Sequence, residues 1–412
     1  MITKLRLHNF KTFLNFEIEL TRRHLLIGKN NSGKTNFCYG LRFLGSTACN
    51  DYSSIRIPGG QEAFCHWDFD SNQTEIECTC ELDFEGERLT FEYKLLLHVS
   101  IAPSTRGSGD SPITTKLERL SVRGHHWPDV VLLDSNGRTV KLLHEERFLR
   151  GNAAENPYVE TQAPPGSSML SKLYELETNK RATLFRRFLS SLGYYSLSPP
   201  LMRYGWTSKE LAGDMANRAL AVHGQNLPLA LFQLKNEDEP RYRSILKMAS
   251  RIEPTLDSIG FYVLPDNTPV PYVFLKRRKQ QKVSWEVLSD GTLCILGLSA
   301  LVTQAERIEE MKDWPPCVIA IEEPENSICR AVFQDIWEDL RSVAPRSQVI
   351  FTSHSPYFVD LFDRDLGSIT RLRQEQGRTT ARSLVEYAEQ IAQLRDDSDL
   401  SLGEQYYKEV FE

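Results

Sequence analysis

The sequence has no apolar run long enough to cross a bilayer. Stretches such as Cys317 to Ile321 fall far short of the roughly 20 residues a spanning helix needs. The opening Met1-Ile2-Thr3-Lys4 has neither the apolar core nor the small-residue cleavage site of a signal peptide. A cytoplasmic protein with no membrane partner is expected. Eight cysteines are scattered; Cys78 and Cys80 stand two apart, and no second pair lies at zinc-ligand spacing. Buried or half-buried free thiols in a reducing compartment are expected. No apolar heptad persists over several turns, which excludes a long coiled coil. An excess of basic charge is also missing. There are 49 Lys and Arg against 55 Asp and Glu, a net charge of -6, and the pI is about 5.9. That disfavours a generalised nucleic-acid coat and leaves room for a local basic patch.

What is present is an ordinary globular composition, 41% hydrophobic and 25% charged, so 412 residues can bury a sizeable core. Residues 2 to 20 alternate through Ile2, Leu5, Leu7, Phe13, Phe16, Ile18 and Leu20, which predicts two strands joined near Asn9-Phe10-Lys11. His24 to Ile27 suits a buried parallel strand, and a helix fits from Asn36 to Leu44. Residues 74 to 145 read as β-rich, with turns at Glu85-Gly86 and Asn136-Gly137. Residues 102 to 112 and 152 to 168 read as loops. From Met169 to about Ile259 the spacing is helical. Beyond it, strands at 260 to 264, 272 to 275 and 283 to 287 precede a helix from Gly291 to about Met311. An alternating β/α run follows to Leu372, as in a parallel sheet. The last residues are acidic and weakly patterned.

Four motifs carry chemistry. Gly28-Lys29-Asn30-Asn31-Ser32-Gly33-Lys34-Thr35 lies between the predicted strand and helix and fits a phosphate-binding loop. Its glycines let backbone N–H groups of the loop point at phosphates, and the helix dipole favours the anion. Lys34 would reach the β- and γ-phosphates of ATP, and the Thr35 hydroxyl would hold Mg²⁺. The expected nucleotide contacts run over Gly28, Asn30, Asn31, Ser32, Gly33, Lys34, Thr35 and Asn36. Cys317 to Ile321 is an apolar strand ending in Glu322 and Glu323. Glu322 would hold the Mg²⁺ shell, and Glu323 would polarise the attacking water. Leu288-Ser289-Asp290-Gly291-Thr292-Leu293 precedes a helix, where Ser289 and Gly291 would meet a phosphate or, more plainly, form an N-cap. Val349 to Pro356 is a buried strand ending in Ser353-His354-Ser355, and His354 would hydrogen-bond the γ-phosphate or the water.

In this order the four motifs resemble the ABC ATPases, specifically the RecF/SMC-like branch. Leu5-Arg6-Leu7-His8-Asn9-Phe10-Lys11-Thr12-Phe13 is similar to that branch's first hairpin. Gly224-Gln225-Asn226-Leu227 and Ile252-Glu253-Pro254 look like the helical insertion of stand-alone ATPases related to the ATPase half of OLD-family nucleases. Several of those act in bacterial defence against phage. The resemblance covers about residues 1 to 50 and 220 to 385. It implies an α/β fold, an ABC-type ATPase head with a mixed sheet, a P-loop core, an antiparallel β subdomain and a helical insertion. The expected division is an N-terminal ATPase lobe at 1–150, the helical insertion at 151–260, a C-terminal ATPase lobe at 261–395 and an acidic tail at 396–412.

The resemblance also implies a mechanism. Two heads pair head to tail, so that ATP on one P-loop is closed by Ser289 and Gly291 of the other. Glu323, His354 and Lys34 become the catalytic set, and Asn326 falls in a loop crossing the dimer interface. Departures are Glu322 for the usual aspartate, Ser327-Ile328-Cys329-Arg330 where His-Pro is common, and Lys11 where arginine is common. A glutamine for Mg²⁺ and water has no assigned position, Gln61 and Gln73 being the candidates. The stretch after His354 holds no acidic cluster at metal-binding spacing, so no OLD-type nuclease domain is expected.

Two functions of different class follow. The first is a dimeric ATPase subunit that senses or clamps nucleic acid and regulates a separate effector, a nuclease or toxin, in anti-phage defence. Lys276-Arg277-Arg278-Lys279 with Lys282 is its best basic patch, and Lys180-Arg181 with Arg186-Arg187 the second. The other is an ATP-driven scaffold that sequesters a toxic partner protein without touching DNA, which the acidic segment 396–412 favours. A small-molecule kinase would use the same loop but would need neither the Ser289 motif nor His354.

Overall fold

Apolar alternation at the N-terminus builds a hairpin. In the computed structural model, β1 (Ile2–Phe10) and β2 (Phe13–Glu19) pair antiparallel with Leu5 opposite Ile18 and Leu7 opposite Phe16. Described are all residues except 51, 53–62, 68–70, 101–111, 152–155, 174–176, 206–219, 266–267, 277–280, 313, 399 and 409–412, and except the side chains at 177, 252, 327 and 396–398. The remaining strands are β3 (Arg23–Ile27), β4 (Gln73–Phe84), β5 (Glu87–Val99), β6 (Ile113–Arg123), β7 (Val130–Ser135), β8 (Thr139–Leu143), β9 (Tyr158–Gln162), β10 (Leu192–Tyr195), β11 (Leu256–Val263), β12 (Pro269–Leu275), β13 (Lys282–Ser284), β14 (Val318–Glu322), β15 (Gln348–Ser353), β16 (Ile369–Glu375) and β17 (Arg378–Ser383). The helices needed below are α1 (Lys34–Thr47), α2 (Lys180–Ser190), α3 (Glu239–Ile252), α4 (Asp290–Glu310), α5 (Arg330–Val343), α6 (Pro356–Leu361) and α7 (Leu402–Tyr407). None of the described helices is long and apolar enough to cross a membrane.

The chain divides into two compact units. One comprises Met1–Gly193, Asp313–Ala320 and Gln348–Glu412, the other Tyr194–Lys312 and Ile321–Ser347. The fold is α/β, with a large antiparallel sheet in the order β2-β1-β4-β5-β6-β7-β8-β9 and a mixed sheet in the order β10-β14-β15-β3-β16-β17. In the first unit β4 and β5 turn at Glu85-Gly86, both at positive φ, as a two-residue hairpin turn requires. Glu118 on β6 is buried. It accepts hydrogen bonds from Tyr93 Oη (3.0 Å), Ser168 Oγ (2.6 Å) and Met169 N (2.7 Å), so segment 168–170 is tied to the sheet. Burial pushes its carboxyl above the usual range.

The register of the mixed sheet positions the site. β15 and β16 both run parallel to β3, with Ser353 and Arg371 level with Ile27. β3 and β15 therefore end level, while β16 runs on to Glu375, and the ends of parallel strands are where ligands bind in such sheets. In the second unit, Arg241 on α3 bonds Asp238 and reaches Glu306 and Glu310 on α4, pinning the two helices. A three-stranded sheet, β11-β12-β13, completes this unit.

Several elements differ from the sequence reading. The stretch read as helical from 169 to 259 also holds β10, and β11 begins at Leu256. A four-residue strand carries no alternation to read, and Gly193 interrupts the helical period just there. β9 lies inside the stretch read as a loop, β17 was not anticipated, and the weakly patterned tail contains α7. The loop read at 102–112 falls mostly outside the described residues. The eight cysteines are free; six are buried, while Cys49 and Cys329 are exposed rather than buried or half-buried.

Candidate functional site

The loop between β3 and α1 is shaped by its glycines. Gly33 caps α1 at φ 100, a conformation that strongly favours glycine. A methyl group there would stand 2.5 Å from Thr379 Oγ1. One on Gly28 would stand 2.5 Å from the Leu372 carbonyl and would strike the Ser32 hydroxyl. Asn31 also has positive φ (67°), and Lys29, Asn30 and Asn31 form the exposed tip. Lys34 is buried, with Nζ donating to the carbonyls of Gly28 (2.7 Å) and Lys29 (3.1 Å). The Ser32 hydroxyl is buried without a hydrogen-bond partner. Thr35 is exposed, and Asn36 donates to Thr12 Oγ1 at 3.0 Å.

Two supports of the loop come from far along the chain. Thr379 on β17 donates through Oγ1 to Thr12 Oγ1 (2.9 Å) and through its N–H to the Thr12 carbonyl (2.8 Å). The tip of the first hairpin, the start of α1 and β17 are thereby tied together. Lys11 beside Thr12 donates to the Ala63 carbonyl at 3.3 Å, and burial lowers its ammonium pKa. His24, at the start of β3, is fully buried between Thr21 and Thr370. Its Nε2 lies 3.0 Å from Thr370 Oγ1, and burial pushes its pKa down to about 3.

A cavity of about 630 Å³ opens beside the loop. Its lining combines Gly28 to Ser32, His354, residues 371 to 374 of β16, and Tyr406 and Tyr407 of α7. His354 follows the end of β15 and is exposed. Sequence reasoning found the loop and the histidine. It missed Thr12, Thr379, the β16 residues and the two tyrosines, because no local pattern links them to the loop.

In the second unit, Glu322 ends β14 and its Oε2 accepts the Tyr194 hydroxyl. Tyr194 was also missed. Glu323 has φ 42, a strained value for a residue with a side chain, and its Oε2 accepts from Asn326 Nδ2 at 3.1 Å. Ser289 is the N-cap of α4, accepting from Thr292 N at 3.1 Å, with Thr292 Oγ1 at 2.7 Å. Ser289 and Asp290 are exposed and Gly291 is half-buried. Arg203 bonds both the Leu288 carbonyl and Asp290, fixing the turn into the helix.

Other sequence candidates fall elsewhere. Gln61 lies outside the described residues, and Gln73 heads β4. Of the first basic patch, 277–279 lie outside the described residues. Lys282 lies over the rings of Tyr262 (4.2 Å) and Tyr272 (4.8 Å). Of the second basic patch, a candidate phosphate contact, Arg181 and Arg187 are engaged in packing, while Lys180 is exposed. Arg181 is buried, pairs with Glu145 at 2.7 Å and lies over Trp127 at 3.4 Å, while Arg187 covers Trp314.

Comparisons with known proteins match this picture. The family model described as "AAA domain, putative AbiEii toxin, Type IV TA system" matches residues 23–360, a span that includes the phosphate loop, Ser289, Glu322, Glu323 and His354. The chain is similar to an SMC head solved with the C-winged helix domain of ScpA, at TM-score 0.51 and 13% identity, covering 95% of this chain and 99% of that one. It is also similar to the SMC head domain of Thermotoga maritima (TM-score 0.38, 12% identity, 93% and 98% covered). A third similar structure is the Pyrococcus furiosus Smc head with an extended coiled coil, bound to the C-terminal domain of ScpA (0.42, 11%, 96% and 99%). No curated protein matches the sequence. With its family model spanning most of the sequence, the chain belongs to the family of AAA domains described as putative AbiEii toxins of Type IV TA systems, and its fold is that of an SMC head.

Proposed function

We propose that the chain binds and hydrolyses ATP as a dimer, and that closure of the dimer senses nucleic acid and controls a separate effector protein in defence against phage. The observation that supports nucleotide binding is the loop itself: an uncapped helix N-terminus, floored by two glycines with no room for a methyl group. Lys34 would exchange the two loop carbonyls for the β- and γ-phosphates. Thr35 offers a hydroxyl and Glu322 a carboxylate, each a hard oxygen donor of the kind Mg²⁺ takes. The Tyr194 hydroxyl would orient Glu322 as outer-shell partners do. Bound Mg²⁺ supplies charge neutralisation of the phosphates.

Glu323 would take the proton of the attacking water, and its strained backbone supports an active role. His354 would hydrogen-bond the γ-phosphate or that water. Ser289 and Gly291 would act on the ATP of a second copy, which the exposed position of Ser289 favours. Contact with nucleic acid is supported by the open face where Tyr262, Tyr272 and Lys282 meet, since aromatic rings and a lysine suit bases and phosphates.

The test is Glu323→Gln with ATP. The variant should bind ATP, lose hydrolysis by about 100-fold or more, elute as a dimer or larger assembly, and shift DNA in a gel at low salt. Wild-type turnover by this variant removes Glu323 from its role. A trapped dimer that never shifts DNA removes the nucleic-acid reading and favours a protein scaffold.

A further inference from the structure

The cavity beside the phosphate loop has a wall that the reading above does not use. Tyr406 and Tyr407 reach it on α7, from the far end of the described chain. The helix is firmly seated. Leu402 and Gln405 are fully buried, Gly403 N donates to Asp360 Oδ1 at 2.7 Å, and Ser401 Oγ bonds Asp360 Oδ2 at 3.3 Å. Gly403 lies so close to the Pro356 carbonyl that a methyl group would clash. Asp360 and Pro356 belong to α6, which begins just after His354. The histidine and the tyrosines are thus carried by one packed helix pair.

Tyr407 is 77% exposed on a helix whose inner face is buried. A single exposed ring is unremarkable by itself. This one lines a cavity that is also lined by Gly28 to Ser32, together with Arg371, Arg373 and Gln374. A second observation points to a ligand there. Ser32 lines the same cavity, and its hydroxyl is buried with no partner, a state that costs free energy until something bonds to it.

We propose that this cavity takes a whole nucleoside triphosphate, with the polyphosphate on the loop and the base stacked on Tyr407. The inference rests on the reading of Gly28 to Thr35 as a triphosphate site. Every base has a π-face, so Tyr407 supplies affinity without base choice. Gln374 lines the same cavity, and its amide offers a donor and an acceptor to a base edge.

The test measures equilibrium binding of ATP and of inorganic triphosphate to the full chain, its Tyr407→Ala variant and its Tyr407→Phe variant. Tyr407→Ala should weaken ATP by roughly tenfold to a hundredfold and leave inorganic triphosphate unchanged, while Tyr407→Phe keeps ATP. Unchanged ATP affinity in Tyr407→Ala overturns the stacking role and leaves the loop reading standing. Equal loss of both ligands also overturns it, because the defect then lies on the phosphate side. Normal ATP binding with loss of ATP-dependent self-association would make this wall a contact for a second copy instead. A wild-type chain that binds neither ligand overturns the loop reading and this inference with it.

Discussion

Two helix N-termini in this chain are candidates for phosphate chemistry, and they are built in opposite ways. The start of α1 has no side-chain cap, a glycine at φ 100, and an unpartnered buried serine just before it. Thr379 and the Leu372 carbonyl wall it in. The start of α4 is capped by Ser289, braced by Arg203, and exposed. The first end leaves its backbone N–H groups without a side-chain cap. The second is capped by its own serine, which is exposed. On the proposed function, the first end would hold its own chain's ligand and the second would serve another molecule's.

The sharpest way to break that contrast is Ser289→Arg. Hydrolysis should fall by about 100-fold or more, the scale of losing a preorganised donor, while ATP binding measured at low protein concentration is unchanged. Loss of that binding would mean that Ser289 serves its own chain's site, and the two ends would then not differ in kind.

A smaller effect is expected from Gly33→Ala. The added methyl group meets Thr379 and is held at positive φ, which should cost about 1–3 kcal/mol of stability and weaken ATP binding as well. A melting temperature equal to that of the wild type would show that the wall around α1 yields easily.

The smallest effect concerns pH. His24 leads into the phosphate loop, and burial lowers its folded pKa from 6.5 to about 3. The unfolded chain therefore binds the extra proton first as pH falls below 6.5. The stability contributed by neutral His24 is complete above that value and is lost progressively down to the folded pKa. Urea unfolding should show a loss of about 1 kcal/mol over the first pH unit below 6.5, and His24→Gln should remove that share. A wild-type stability that is flat over this interval would mean that His24 is accessible to protons in the folded state.

The candidate site was legible where chemistry is contiguous. Gly28 to Thr35 declares itself because a tight anion-binding turn needs particular residues at consecutive positions. Glu322 and Glu323 were legible as acids ending an apolar strand, and β14 indeed ends at Glu322. Ser289 was legible as an N-cap, and it is one. Arg181 was misread, because a charge on a predicted helix gives no sign that Glu145 and Trp127 will enclose it. β10 was missed because four residues around Gly193 have no period. Thr12, Thr379 and Tyr194 were missed because their roles depend on partners at a distance in sequence.

The sequence by itself determined the glycine turn of Gly28 to Thr35, the acidic end of β14 and the cap of α4, since each depends on residue types within a few consecutive positions. Tertiary structure decided which distant residues border the loop. Thr379 fills the space left by Gly33, β16 runs level with β3, and α7 brings Tyr407 to the cavity. Such contacts follow from strand register and helix packing, which are set by burial across the whole molecule rather than by any local run of residues.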